Sequence, residues 1–205
     1  TEVERLQAEN ARLRSLLELQ PALRVRSTAA EVLYEAKDPY SRKLFIDRGA
    51  QAGIVAGAPV INEQGVVGQV TRVYPLTAEV TLMVDKDAVV PVLNTRTQQR
   101  SAAYGTANGL GMELRFVPTN TDVRRDDALV TSGVDGVYPS GIAVARVADV
   151  RRQGAGGFSQ IDLVPVASLD SIRHLLVLEP IGRQLLPPPE PAPKPAADPR
   201  SRRKP

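Results

Sequence analysis

His174 is the one histidine in the chain, and cysteine is absent. Those two facts narrow the available chemistry. A serine hydrolase needs a base beside its nucleophile, and only His174 could be that base. Ser132 and Ser140 sit on turns beside glycine, but neither completes Gly-x-Ser-x-Gly, because Val130 and Tyr138 stand where the first glycine belongs. A triad of Ser132 or Ser140 with His174 is compatible with the composition, yet no spacing supports it. His174 directly precedes the apolar run 175–178 and reads as the start of a strand. Asp126 and Asp127 are adjacent, and Asp85 and Asp87 flank Lys86. Adjacent strand residues point to opposite faces, so such carboxylates are poorly placed for shared acid–base work and read as turn residues. No cluster has metal-ligand spacing, and one histidine is too few for most transition-metal sites. The tract 154–157 lacks the lysine and the strand–loop–helix setting of a phosphate loop. Gly49, Gly53 and Gly57 recur every four residues, but in a segment too short and polar for membrane-helix pairing, so they read as turns. We expect no catalytic residues, no metal and no cofactor.

Composition bounds the domain number and the kind of core. The 205 residues suit one large or two small domains. Apolar residues make up 42%, with no Trp and only 4% aromatics, so any core must be built from Val, Leu, Ile and Ala. A net charge of +3 is too small to imply nucleic acid. The lack of cysteine removes disulfides and thiolate sites without deciding the compartment. No apolar run approaches the ~18 residues of a membrane span, and no signal peptide is visible. Thr1 lies inside a helical repeat and is not Met, so the chain is expected to be cut from a longer one.

The elements that would position any surface begin with a helix. Val3, Leu6, Asn10, Leu13 and Leu17 follow the 3-4-3-4 spacing of a coiled-coil seam. Val3, Asn10 and Leu17 fall at a, and Leu6 and Leu13 at d. Asn10 at a favours two strands in register, and Glu9 paired with a partner's Arg14 favours a parallel pair. The alternative is an amphipathic helix packed on its own domain. Pro21 is read as its end, giving a coiled-coil helix over 1–21. Beyond it come many short extended runs: 22–36, 42–47, 58–61, 66–74, 79–84, 88–94, 101–106, 111–117, 128–131, 142–152, 158–166 and 174–179. Asn62-Glu63-Gln64-Gly65 and the tract 154–157 read as hairpin turns, Asp38-Pro39 as a turn, and polar 95–100 as a domain boundary. The pattern is mainly β and fits barrels or a sandwich. Proline-dense 182–205 is expected to be a disordered tail.

The stretch 129–147 carries a shaped connection, with Gly133, Gly136, Pro139 and Gly141 between two apolar runs. Thr131-Ser132-Gly133 followed by Tyr138-Pro139-Ser140-Gly141-Ile142 resembles the second half of the MreC family of rod-shape-determining proteins. Ile46-Asp47-Arg48-Gly49, Gly53-Ile54, Gly57-Ala58-Pro59-Val60-Ile61 and Gly65-Val66-Val67-Gly68-Gln69-Val70 resemble its first half, in the same order and spacing. The resemblance covers residues 6–180. Two positions depart from it: Asp126 stands where the family has Gly, and Ala145 often does too. The resemblance implies two small β-barrel domains after the helix, over 22–95 and 96–181. It implies an N-terminal membrane anchor absent from this chain and a place on the periplasmic side of the bacterial inner membrane. It implies self-association, a complex with penicillin-binding protein 2, RodA, MreD and MreB, and activation of the peptidoglycan synthase. Thermodynamically such activation requires tighter binding to the active conformation. Exposed aromatics are the usual anchors of an interface, which makes Tyr138 and Phe158 the candidates, with core packing as the alternative. A β-barrel hydrolase of the serine-protease type is the competing reading. A viral or phage fibre segment shares the coil-plus-β pattern without the two-part motif.

Overall fold

The computed structural model describes residues 2–182 except 24, 37, 39, 40, 153–156 and 171. The glycine tract at 154–156, Pro39 and the tail from 183 onward therefore lie outside the described residues.

A single long helix, α1 (Glu2–Leu23), leads the chain. It continues for two residues past Pro21, which the sequence reading had taken as its end. Proline leaves the carbonyl of residue 17 without its i→i−4 donor, and the helix nevertheless continues through Ala22 and Leu23. Twelve strands follow among the described residues: β1 (Ser27–Glu35), β2 (Lys43–Ile46), β3 (Pro59–Ile61), β4 (Val66–Val73), β5 (Ala78–Leu82), β6 (Val89–Asn94), β7 (Arg100–Gly105), β8 (Met112–Pro118), β9 (Ala128–Thr131), β10 (Ala143–Arg152), β11 (Phe158–Pro165) and β12 (His174–Leu178). Burial alternates along them, as in β6, where Val90, Val92 and Asn94 are buried, and β11, where Ser159, Ile161 and Leu163 are.

The strands close into two six-stranded antiparallel barrels, in the orders β1-β12-β3-β4-β5-β2 and β10-β11-β8-β7-β6-β9. Closure leaves no unpaired edge. Buried Ile46, Val60, Val80 and Leu175 fill the first barrel, and Val92, Ala103, Val144 and Ile161 the second. The grouping corrects the expected division at 95/96. The strand β6 belongs to the second barrel and β12 to the first. Without β12 bridging β1 and β3, the first barrel would be a five-stranded sheet with two open edges. Residues 95–99 are not a boundary but the β6–β7 turn, in which Asn94 Oδ1 accepts from the N–H groups of Arg96 (2.9 Å) and Thr97 (3.2 Å). The second barrel is thus inserted whole between β5 and β12. Placing β10, β11, β6, β7, β8 and β9 in the roles of β1, β2, β3, β4, β5 and β12 reproduces every pairing, so the barrels share one topology in permuted chain order.

The turn 62–65, between β3 and β4, joins four parts of the molecule. Asn62 Oδ1 shapes it by accepting from Gln64 N (2.9 Å) and Gly65 N (3.0 Å). Glu63 Oε1 accepts from Arg12 Nε of α1 at 2.6 Å. Gln64 Oε1 accepts from Ser168 N at 2.6 Å, on the connection from β11 to β12. Gly65 packs so closely on the second barrel that a Cβ would lie 2.3 Å from the Ala143 carbonyl oxygen. A backbone oxygen cannot step aside as a flexible side chain could. Gly65→Ala is expected to cost about 1–3 kcal/mol, as overpacking does. Thermal unfolding checks this, and an unchanged Tm would mean that the barrels can part enough to admit a methyl group.

Candidate partner-binding surfaces

The helix presents two stripes. Val3, Leu6 and Leu17 are 63%, 55% and 59% exposed, Asn10 is exposed, and Leu13 is half-buried. The other stripe is Glu9, Arg12, Leu16 and Leu19. Leu16 is buried, and Leu19 packs against the core. Glu9 Oε1 lies 3.0 Å from His174 Nδ1, within ion-pair range but off the line of a good hydrogen bond. With 3.6 residues per turn, the stripes lie about 120° apart. The packed-helix alternative therefore describes one face, and the seam occupies another that the packing leaves open.

Tyr138 is not a surface anchor. It is 3% exposed and borders a small space between the barrels together with Gly68, Thr71, Thr81, Met83 and Val90. Burial first, and Asp135 second, push its phenol well above the ordinary tyrosine range. The loop 132–141 folds back and uses the ring to close the gap between the two barrels. Thr131, fully buried, staples that loop: its hydroxyl donates to the Pro139 carbonyl and accepts from Ile142 N at 2.9 Å. Asp135 Oδ1 accepts from Val137 N and Tyr138 N. Gly133 has φ +73°, and a Cβ there would lie 2.9 Å from Ser140 Cβ. The motif is a structural joint, and Ser140 is one of its packing residues. His174 Nδ1 faces the carboxylate of Glu9.

Phe158 is 58% exposed, and its ring meets Phe116 edge-on, with centroids 5.9 Å apart and planes at 89°. Phe116, itself 70% exposed, went unnoticed in the sequence for a specific reason. Met112 and Leu114 point inward, so strict alternation would bury Phe116 as well. A bulge intervenes: Ser159 pairs with Val117 and Ile161 with Leu114, so Arg115 and Phe116 together oppose Gln160. Phe116 takes φ +59°, a strained conformation for a bulky residue, and its ring is turned out of the barrel. Beside it Arg115 Cζ lies 4.7 Å from the centre of the Tyr104 ring.

The carboxylates read as turn residues hold turns. Asp85 Oδ2 accepts from Arg42 N (2.6 Å) and Oδ1 from Asp87 N (2.9 Å). Asp126 has φ +67°, in the left-handed region that Asp tolerates better than most residues. Asp127, buried, accepts from Arg96 Nε at 2.7 Å, from Asn94 Nδ2 at 2.7 Å and from Arg124 N at 3.0 Å. Arg96 also reaches Asp122 Oδ2 at 2.7 Å. The Arg96 hydrogen bonds outweigh burial and hold the Asp127 carboxyl at about 2, against an ordinary 3.8. Among the described residues no group of His, Cys, Asp and Glu could hold a metal ion. Nor, among them, is any helix long and apolar enough to cross a membrane.

The family model of the rod shape-determining protein MreC, barrel core, matches residues 32–179. The cell shape-determining protein MreC of Escherichia coli (strain K12) is 38% identical over 170 residues, covering 83% of this chain and 46% of that protein. A crystal structure of MreC from Pseudomonas aeruginosa superposes with a TM-score of 0.70 at 33% identity, over 74% of this chain and 98% of that one. A complex between penicillin-binding protein PBP2 and MreC from Helicobacter pylori shares the fold, with a TM-score of 0.52 at 14% identity, over 75% of this chain and 99% of that one. The chain spans about half the length of the curated relatives it matches.

Two outcomes follow from the carboxylate geometry. Because the folded-state pKa of Asp127 is depressed, its contribution is present above pH 4 and lost as pH falls toward 2. Asp127→Asn should cost about 2 kcal/mol at pH 7 and flatten the acid limb of stability between pH 4 and 2. Denaturant titrations across that range check both. Asp126→Gly should raise stability by about 0.5–1 kcal/mol, since glycine adopts positive φ without strain. A lower midpoint for this variant would show that the Asp side chain supports the turn.

Proposed function

This chain belongs to the MreC family of rod shape-determining proteins, and from that premise we propose that it is the coil-and-barrel portion of a non-catalytic scaffold for cell-wall elongation. In this reading it acts by self-association and by binding and activating a peptidoglycan synthase on the periplasmic side of the inner membrane. The observation that carries the reading is the division of the helix into two stripes. One stripe fastens the helix to the first barrel through Leu16, Arg12 and Glu9. The other leaves Val3, Leu6, Asn10 and Leu17 exposed, with Leu13 at its margin, so a second copy can pair there without detaching the helix. Dimerisation thus needs no rearrangement of the β domains. A membrane anchor N-terminal to the helix would raise the effective concentration of the pairing partners.

The relative in complex with PBP2 supports a synthase as partner. Phe158, together with Phe116, is the patch we assign to it, because exposed aromatic pairs are typical of binding hot spots. MreB, MreD and RodA complete the assembly on the strength of the family alone. The scaffold activates a synthase to the extent that it binds the competent conformation more tightly than the resting one. No observation favours the hydrolase reading: His174 faces Glu9, and Ser132 and Ser140 belong to a stapled loop.

Leu6→Asp with Leu17→Asp places charges in the exposed seam and spares the docked stripe. Sedimentation should show the wild-type dimer reduced to monomer with an unchanged Tm. An equal oligomer for wild type, this variant and a chain beginning at Ala22 would assign assembly to the barrels instead. Phe116→Ser with Phe158→Ser should weaken binding to the periplasmic part of PBP2 at least tenfold, a loss of about 1.4 kcal/mol or more. Unchanged affinity in calorimetry would remove the patch from the interface.

A further inference from the structure

The chain returns to the second barrel after it has closed the first. Strand β12 ends at Leu178, and Gly182 N then donates to Gly136 O at 2.6 Å, on the loop 132–141. Gly182 sits close there, since a Cβ would lie 3.2 Å from the same oxygen. Residues 183–205 therefore depart from the end of the second barrel at which β10 begins. They include Pro187-Pro188-Pro189-Glu190-Pro191-Ala192-Pro193-Lys194-Pro195. At the far end of β10, Arg152 pairs with Ser159, next to Phe158, and Phe158 pairs with Pro118. There Phe116 and Phe158 stand 70% and 58% exposed. The lengths agree. The ten residues of β10 span about 30 Å. From Gly182 to Pro195 the chain reaches about 40 Å as polyproline II, at roughly 3.1 Å per residue. Exposed Val164, which pairs with Arg146, lies on the way along β11.

We propose that the proline tract 187–195 docks in cis on the Phe116–Phe158 pair and covers it until a partner displaces it. The sheet around the pair is closed and offers an incoming segment no edge, so an occupant must bind without a main-chain ladder. Polyproline II meets that condition. It makes no internal hydrogen bonds, is ordered before it binds, and packs its rings on aromatic side chains. Tyr104 and Arg115, beside the pair, can donate to its free carbonyls. Tethering keeps the tract at high effective concentration, so a weak contact suffices. The docking stands on the exit point, the reach and the aromatic pair. That the displacing partner is the synthase rests on the function proposed above.

The test uses the full chain. The sequence holds no cysteine, so Ala192→Cys carries a single nitroxide label. The oxidised label should broaden the backbone amide signals of Phe116, Phe158 and Gln160 and spare those of the first barrel. Pro191→Gly with Pro193→Gly and Pro195→Gly frees the tract from polyproline II and leaves both barrels unaltered. It should restore those signals and tighten binding to the periplasmic part of PBP2 about threefold or more, because the patch is then always open. Sharp Phe116 and Phe158 signals beside the oxidised label overturn the docking, whatever the synthase does. So does broadening at Gln160 that survives Phe116→Ser with Phe158→Ser. Broadening of unlabelled 15N chains mixed with labelled 14N chains assigns the occupant to a second copy and overturns docking in cis. Equal synthase affinity with and without the three prolines, while the broadening holds, overturns the competition alone.

Discussion

Everything in this molecule that concerns orientation depends on a glycine meeting a carbonyl. Two closed barrels have no edges to pair, so they cannot be joined by extending a sheet. They must touch through loops, and one close contact is Gly65 against the Ala143 backbone. Around that contact, Glu63 reaches the helix and Gln64 reaches the connection that returns to the first barrel. Tyr138 closes the other side of the same gap. Backbone proximity and polar links at this turn thus add to the buried apolar cluster that runs through both barrels.

The surfaces themselves are built differently. The stripe of Val3, Leu6, Asn10 and Leu17 on α1 is exposed along one face of a regular helix, the face we propose for pairing with another copy. The Phe116–Phe158 pair exists only because a bulge breaks the alternation of β8 and turns a large ring outward in a strained conformation. Strain and exposure each cost stability, and their coincidence at one residue is what argues for a binding role. The Arg96–Asp127 cluster is the contrasting case, a buried carboxylate whose charge is paired within one barrel.

Much of this was legible in the chain. The strand runs, the turn 62–65 and the two-part motif were read in place because alternation and turn residues are local signals. The grouping of strands was not, because nothing local tells β12 that its neighbours are β1 and β3. Pro21 is not the end of α1, because a proline weakens a helix without obliging it to stop at that residue. Tyr138 and Phe158 could not be separated by type, since both are aromatics beside glycine-rich loops. The distinction lies in a loop folding back over Tyr138 in one case and an exposed strand start at Phe158 in the other. Phe116 was invisible for the opposite reason: the alternation rule was clear and predicted the wrong face.

The insertion of one barrel within the other also bears on how the chain is made. The paired residues Ser27 and Leu178 are about 150 positions apart in the chain, a long loop to close. The first barrel cannot shut until β12 has been synthesised, whereas the second has all six strands in one unbroken stretch. During synthesis or export the inner barrel can mature alone, while β1 and β3 wait with open edges. Such edges attract other strands, and slow non-local pairing prolongs the exposure. This order of assembly makes the first barrel the part most in need of chaperone protection, and β12 the strand whose arrival ends that need.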